Sequence, residues 1–503
     1  MGGDPVSVAQ SRAPVGLAAP LVRVEVHLGP GLPAFLMVGL PEAVVRESRE
    51  RVRSALVTAG FSFPAGRITV NLSPADLPKH GGRFDLPIAV GILAASGQLP
   101  RESLTGREFY GELALSGELR ETAKLLPALV AGTRSGAELI LPAANQLEAA
   151  LVAGPKVKLA GHLVEVCHAL GGGKPLPAAC RGMAVPAPRT APDLAEVSGQ
   201  FGAKRALEIA AAGGHGLLMI GPPGAGKTLL AQRLPGLLPP LGEREALEVA
   251  SLQSAAGGRP SLEGCPPFRS PQHTASVAAL IGGGGFRPGE LSLAHLGVLF
   301  LDELPEFPRN ALEALREPLE SGVVLLSRSM RSCEFPARFQ LVAAMNPCPC
   351  GYAGDPRGRC RCTPAEIARY RNRVSGPLID RIDMHVELSA LPAEHLLRDH
   401  QPPAETSASV AARVAAARDA QARRQGKLNS RLTPRELTRL CPLQRDSRAL
   451  LGAAITRLGL SARACHGVLK LARTCADLAG ESGIRLVDVS EAVRLRALDR
   501  APP

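Results

Sequence analysis

"GLLMIGPPGAGKTLLAQRLPGLL", Gly216 to Leu238, is the stretch whose reading decides the fold. Its first residues, Gly216 to Ile220, form a short apolar run of the kind that is buried on both faces of a sheet. The residues from Thr228 onward read as the start of a helix. Between them "GPPGAGKT" meets every demand of a phosphate-binding loop: Gly221, Pro222, Pro223, Gly224, Ala225, Gly226, Lys227 and Thr228. Glycines let backbone amides close on phosphate oxygens, and the helix start adds its dipole. In this pattern Lys227 reaches the β- and γ-phosphates, and Thr228 ligates Mg²⁺.

Two further apolar runs end on polar residues suited to the same chemistry. "GVLFLDE" buries Val298 to Leu301 and delivers Asp302 for the Mg²⁺ shell and Glu303 to polarise an attacking water. "QLVAAMN" ends on Asn346, a neutral group able to orient that water or the γ-phosphate. In "GPLIDRIDMHVEL", Arg381 fits a transition-state arginine supplied to a neighbouring subunit. Spacing alone favours a local ion pair with Asp380 or Asp383.

Working outward, residues 193–395 alternate helices with buried strands, which implies an α/β sheet. "GGGKPLPAACRGMAVPAPRTAP", Gly171 to Pro192, is Gly- and Pro-rich without periodicity and reads as a linker. Residues 1–170 mix strands ("VRVEVHL", "RITVNL") with a helical stretch ending at Gly60. Residues 396–503 read as helices only. No internal repeat is visible.

A chain of 503 residues exceeds one ordinary core, and 45% hydrophobic with 21% charged residues describes a globular protein. Aromatics at 3% argue against base-stacking platforms as the main theme. A net charge of +12 fits a polyanionic partner such as nucleic acid, although an Arg-rich composition throughout gives the same number. No apolar run is long enough to span a bilayer, and "MGGDPVSVAQ" lacks a signal-peptide layout, so a cytoplasmic protein without membrane partners is expected. Its 11 cysteines would then stay reduced. Four of them, Cys348, Cys350, Cys360 and Cys362, crowd into "MNPCPCGYAGDPRGRCRC", an insertion at 346–363. They can close a tetrahedral Zn²⁺ site; free thiols on a loop and a reversible disulfide are the alternatives. Arg357, Arg359 and Arg361 in the same stretch are candidates to face DNA.

Together these motifs resemble an AAA+ ATPase of the magnesium-chelatase-like branch, and most closely the ComM (YifB) family. "AAAGGHGLLMIGPPGAGKT", "FRSPQHTAS", "RPGELSLAH", "FPARFQLVAAMNPCPCG", "SGPLIDRIDMHVE" and "SARACHGVLKLARTCADLAG" carry the resemblance over essentially the whole chain. It implies ATP and Mg²⁺ as cofactors, with Lys227, Glu303 and Asn346 at the catalytic centre. It makes Arg381 the finger acting across a subunit interface and Arg463 the second sensor on a helical lid. A homo-oligomeric ring, a hexamer, follows from those roles. The implied activity is DNA-translocating branch migration of recombination intermediates, as in natural transformation. A chelatase-type ATPase remodelling a protein partner is the alternative, and an ATP-dependent protease or unfoldase a third. Leu296, Cys465 and Gly467 depart from the pattern without touching a catalytic position.

The N-terminal region resembles the Lon proteolytic domain in "LPKHGGRFDLPIAVGILAASG" and "FYGELALSGELR". The alignment puts Arg83 at the nucleophilic serine and Leu126 at the general-base lysine, with Lys124 two positions away. Without a nucleophile and base the domain is expected to be a scaffold. Two candidate pore elements remain: the loop Ile281–Glu290 with Phe286 and Arg287, and a hairpin with Arg328 and Arg331 near its turn.

Overall fold

The computed structural model describes residues 6–39, 47–77, 79, 81–180, 192–262, 264–328, 331–355, 357–390, 405–496 and 498. Half of the expected linker and the expected boundary at 395/396 fall on residues 181–191 and 391–404, outside the described residues.

The phosphate-binding stretch sits in a five-stranded parallel sheet ordered Phe268–Arg269, Val298–Leu301, Gln340–Met345, Leu217–Ile220, Met384–Glu387. Its three central strands are buried at every position, which is why they lack polar alternation. Alternate residues serve two cores. Leu217, Met219, Val298 and Phe300 pack on one face with the helix Phe201–Gly213. Leu218, Ile220, Leu299 and Leu301 pack on the other. The C-terminal helices Ser407–Gln425, Pro434–Leu440, Arg445–Leu458, Ala462–Leu478 and Leu486–Arg494 join the first core through Val410, Val414, Leu471 and Val489. Leu217–Ile220, first of the five in chain order, lies between the fourth, Gln340–Met345, and the fifth, Met384–Glu387. Chain order reverses there, so a crevice opens at its carboxyl end.

The N-terminal region forms a mixed seven-stranded sheet ordered Ala34–Val38, Arg67–Ser73, Leu21–Gly29, Val6–Arg12, Arg107–Phe109, Glu138–Pro142, Val157–Ala160. Alternation in "VRVEVHL" and "RITVNL" becomes one buried face, as period-2 patterning requires. The helix Asp85–Ala95 buries nearly every residue against this sheet. Gly91 permits the contact: a Cβ there would lie 2.7 Å from Val26 Cγ2. The two regions meet where the helix Leu126–Ser135 packs on Glu243–Ala255. The Leu126 amide donates to Ser254 Oγ at 3.3 Å, and Ser254 Oγ donates to Glu148 at 2.6 Å.

At the Lon-like positions the Arg83 guanidinium is buried and donates to the Ala123 carbonyl at 2.6 Å and the Lys124 carbonyl at 3.4 Å. Burial pulls Arg83 down to about 10. An arginine thus fills the crevice between the two segments that the resemblance pairs.

Candidate functional site: two edges of one sheet and a four-thiol cluster

Strand carboxyl ends bring the first group together. Gly226, at φ +86, turns the chain into the helix Lys227–Arg233, a conformation open to glycine at no steric cost. Lys227 Nζ donates to Gly221 O at 2.6 Å, Pro222 O at 3.1 Å and Asn346 Oδ1 at 3.1 Å. Burial lowers its pKa, opposed by Asp302 and Glu303. Thr228 Oγ1 donates to Asp302 Oδ2 at 2.7 Å, so the two oxygens expected around Mg²⁺ are already adjacent. The Glu303 amide donates to Asp302 Oδ1 at 2.9 Å. Glu303 itself occupies the left-handed region at φ +53, sparsely populated for a residue with a side chain.

Glu303 has a partner that sequence reasoning did not single out. His273 Nδ1 lies 3.1 Å from Glu303 Oε2. His273 belongs to "FRSPQHTAS", which opens with the edge strand Phe268–Arg269. The motif was visible; its position against Glu303 depends on strand order.

Arg381 and Arg463 do not join this group. Arg381 follows the short helix Gly376–Ile379 and precedes the amino end of Met384–Glu387. That end pairs with Leu217, whereas the phosphate loop follows Ile220, about 13 Å further along at the usual rise per residue. Arg381 Nη2 lies 2.6 Å from Glu320 Oε1, and Arg381 Nη1 donates to Pro377 O at 2.6 Å. Arg463, in the first turn of Ala462–Leu478, binds the same Glu320 oxygen. The ion pair expected with Asp380 or Asp383 is therefore made with Glu320 instead. Asp383 goes to His215 Nδ1 at 3.0 Å, and His215 Nε2 contacts Thr474 Oγ1 at 2.8 Å. Arg381, Arg463, Glu320 and Lys470 line a cleft of about 920 Å³ between the sheet and the C-terminal helices.

The four cysteines of the insertion converge. Their sulfurs all lie within 4.8 Å of one another, with Cys348–Cys350 at 3.3 Å, Cys348–Cys360 at 3.8 Å and Cys350–Cys360 at 3.7 Å. None is bonded to another as a disulfide. A tetrahedral ion with bonds of about 2.3 Å to sulfur has S···S edges of about 3.8 Å, so this set fits one ion of zinc's size. Arg357, Arg359 and Arg361 are exposed around it, with Arg359 stacked 4.3 Å over Tyr352.

The remaining loop candidates divide. Phe286 packs against the second core, whereas Arg287 beside it is exposed. Val323–Arg328 and Arg331–Pro336 form the expected antiparallel hairpin, with Arg328 opposite Arg331; the turn residues lie outside the described residues. No helix among the described residues is long and apolar enough to cross a membrane.

Comparison with known proteins places the whole chain. Residues 193–396 match the family model described as magnesium chelatase, subunit ChlI. Residues 24–145 match subunit ChlI of Mg-chelatase, and 404–496 match its C-terminal region. The competence protein ComM of Haemophilus influenzae is 49% identical over 503 residues, 98% of both chains. An uncharacterized protein YifB of Salmonella typhimurium is 48% identical over 501 residues, again 98% of both. The magnesium-chelatase 67 kDa subunit of Heliobacterium mobile is 29% identical over 227 residues, 38% of this chain and 30% of its own. Because the N-terminal match itself carries a chelatase description, that region alone does not separate a DNA motor from a chelatase motor.

Proposed function

The chain belongs to the YifB/ComM family of magnesium-chelatase-like AAA+ ATPases, and from that premise we propose that it is an ATP-driven ring motor acting on branched DNA. The supporting observation is the division of its charged groups. Lys227, Thr228, Asp302, Glu303 and Asn346 meet at one edge of the sheet, while Arg381 and Arg463 share Glu320 at the other.

In this reading the loop Gly221–Thr228 holds the triphosphate. Thr228 and Asp302 hold Mg²⁺, whose charge offsets that developing on the phosphates. Glu303 takes up a proton from the attacking water, Asn346 orients it, and Lys227 neutralises the phosphate oxygens. Spread negative charge in the transition state still needs a cation. Arg381 and Arg463 cannot supply one within the same protomer without leaving their edge. A head-to-tail ring, a hexamer, brings that edge of one protomer to the loop of the next. Residues 1–170 serve as a scaffold, with 193–395 as the motor and 396–503 as the lid. The four-cysteine insertion holds one structural zinc, and the protein works in the cytoplasm.

DNA as substrate is supported by the net charge of +12 and the similarity to a competence protein. ATPase rates with no DNA, single strands, duplex and a four-way junction test it, together with migration of the junction. Stimulation by the junction with salt-sensitive binding is expected, because phosphate contacts release counterions. Turnover indifferent to every DNA and raised by a protein partner would favour the chelatase-type alternative, which the 29% identity to a chelatase subunit keeps in play.

A further inference from the structure

A zinc ion whose only duty was to fold its own loop could sit anywhere on the surface. This cluster sits on the nucleotide site. Cys348 is completely buried and lies two residues beyond Asn346, the residue whose side chain meets Lys227. Gly351, within the knuckle, turns at φ +85 directly against the phosphate loop: a Cβ there would come within 2.7 Å of Pro223 Cδ and 3.9 Å of Asn346 Cγ. Arg371, on the helix that follows the second cysteine pair, donates to the Pro347 carbonyl at 3.3 Å. The segment 346–351 is thus held on one side by the thiol cluster and on the other by Pro223 and the helix Pro364–Arg371.

We propose that zinc held by Cys348, Cys350, Cys360 and Cys362 is thermodynamically coupled to nucleotide binding, because the knuckle it closes sets the position of Asn346 and Pro223. The proposal rests on the zinc reading given above. Four thiolate donors suit zinc, copper(I) or an iron–sulfur centre among biological metals, and sulfur spacings near the edge of a single-ion tetrahedron favour one zinc. The donor groups are also supported locally. The Ala353 amide donates to Cys348 Sγ at 3.2 Å, and Asp355 fixes Arg359 at 2.6 Å, which holds the loop between the two cysteine pairs. Coupling must run both ways: if zinc orders the loop that grips phosphate, bound nucleotide must tighten the grip on zinc by the same factor.

Reciprocity supplies the test. Protein purified without chelator should contain about one zinc and no iron per chain. Affinity for a fluorescent, non-hydrolysable ATP analogue with Mg²⁺ is then compared in zinc-loaded and zinc-depleted protein. Depletion should weaken it on the order of tenfold, within the usual range of coupling between sites. In the reverse direction, saturating analogue should strengthen zinc retention against a competing chromophoric chelator by a similar factor. Cys348→Ser with Cys360→Ser should reproduce the depleted state, and Cys265→Ser, at an exposed cysteine outside the cluster, should match the parent. Should the double variant fold poorly, titrating zinc back into depleted parent protein gives the same comparison. Metal-free or iron-containing protein overturns the zinc reading, and the coupling with it. One zinc per chain with equal analogue affinity in both forms overturns the coupling alone. Neither readout involves DNA, so neither depends on the substrate assigned to the motor.

Discussion

The two edges of the ATPase sheet are built in opposite ways. At the carboxyl edge, hydrogen-bonding groups already face one another: Thr228 with Asp302, Lys227 with Asn346, Glu303 with His273. At the amino edge, two guanidinium groups share one carboxylate, Glu320, whose pKa is lowered chiefly by its hydrogen bond to Arg463. One edge is nearly self-sufficient, and the other carries cations in excess of their local partner. The difference teaches that one protomer brings Lys227, Thr228, Asp302 and Asn346 together by itself, while Arg381 and Arg463, the cations proposed for the transition state, lie at the other edge.

The largest effects should come from breaking either edge. Lys227→Ala and Arg381→Ala, made separately, are each expected to lower ATP turnover by about a thousandfold or more. Mixing the two variants should restore part of it, because some junctions then pair an intact loop with an intact arginine. Mixed rings verified by mass that show no recovery would mean that Arg381 serves only its own protomer.

Next in size is Glu303→Gln. Turnover should fall by about a hundredfold as the water loses its base, while binding of the ATP analogue stays within about twofold. Loss of binding in step with turnover would reassign Glu303 from chemistry to phosphate or metal binding.

Glu320→Gln sharpens the comparison more gently. It frees both arginines from one half-exposed carboxylate, and exposed ion pairs of this kind contribute about 0–1 kcal/mol. A few-fold change in turnover is expected, with a smaller difference between low and high salt than the parent shows. An effect as large as that of Arg381→Ala would make Glu320 part of the chemistry.

The smallest effect on turnover should follow from Arg83→Met. Losing the hydrogen bond from the buried Arg83 guanidinium to the Ala123 carbonyl should cost about 1–3 kcal/mol of stability, read as a lower midpoint in thermal unfolding. ATPase activity at moderate temperature should be unchanged, and neither form should cleave a casein substrate. Peptidase activity in the parent would refute the scaffold assignment.

Much of this was legible in the residues themselves. The phosphate loop, the acidic pair after Leu301 and the polar end of "QLVAAMN" are local patterns, and a strand that is apolar throughout can only be an inner strand of a covered sheet. Two C-x-C pairs within fifteen residues likewise put four thiols on one loop, but their convergence to within 4.8 Å is decided by how that loop folds. What sequence could not supply was the partner of a charge. Arg381 has acidic neighbours on both sides in the chain, yet its carboxylate comes from Glu320 on the helix Arg316–Ser321. His273 meets Glu303 because the edge strand lies beside Val298–Leu301, and Arg83 meets Ala123 because two distant segments line one crevice. The contact of Gly351 with Pro223 has the same origin, since the strands ending at Ile220 and Met345 are paired. Motif chemistry depends on a few consecutive backbone angles and side chains, which the sequence alone determines. Ion-pair partners and loop contacts depend on which strands lie side by side, and only the burial of the whole sheet between its two cores decides that order.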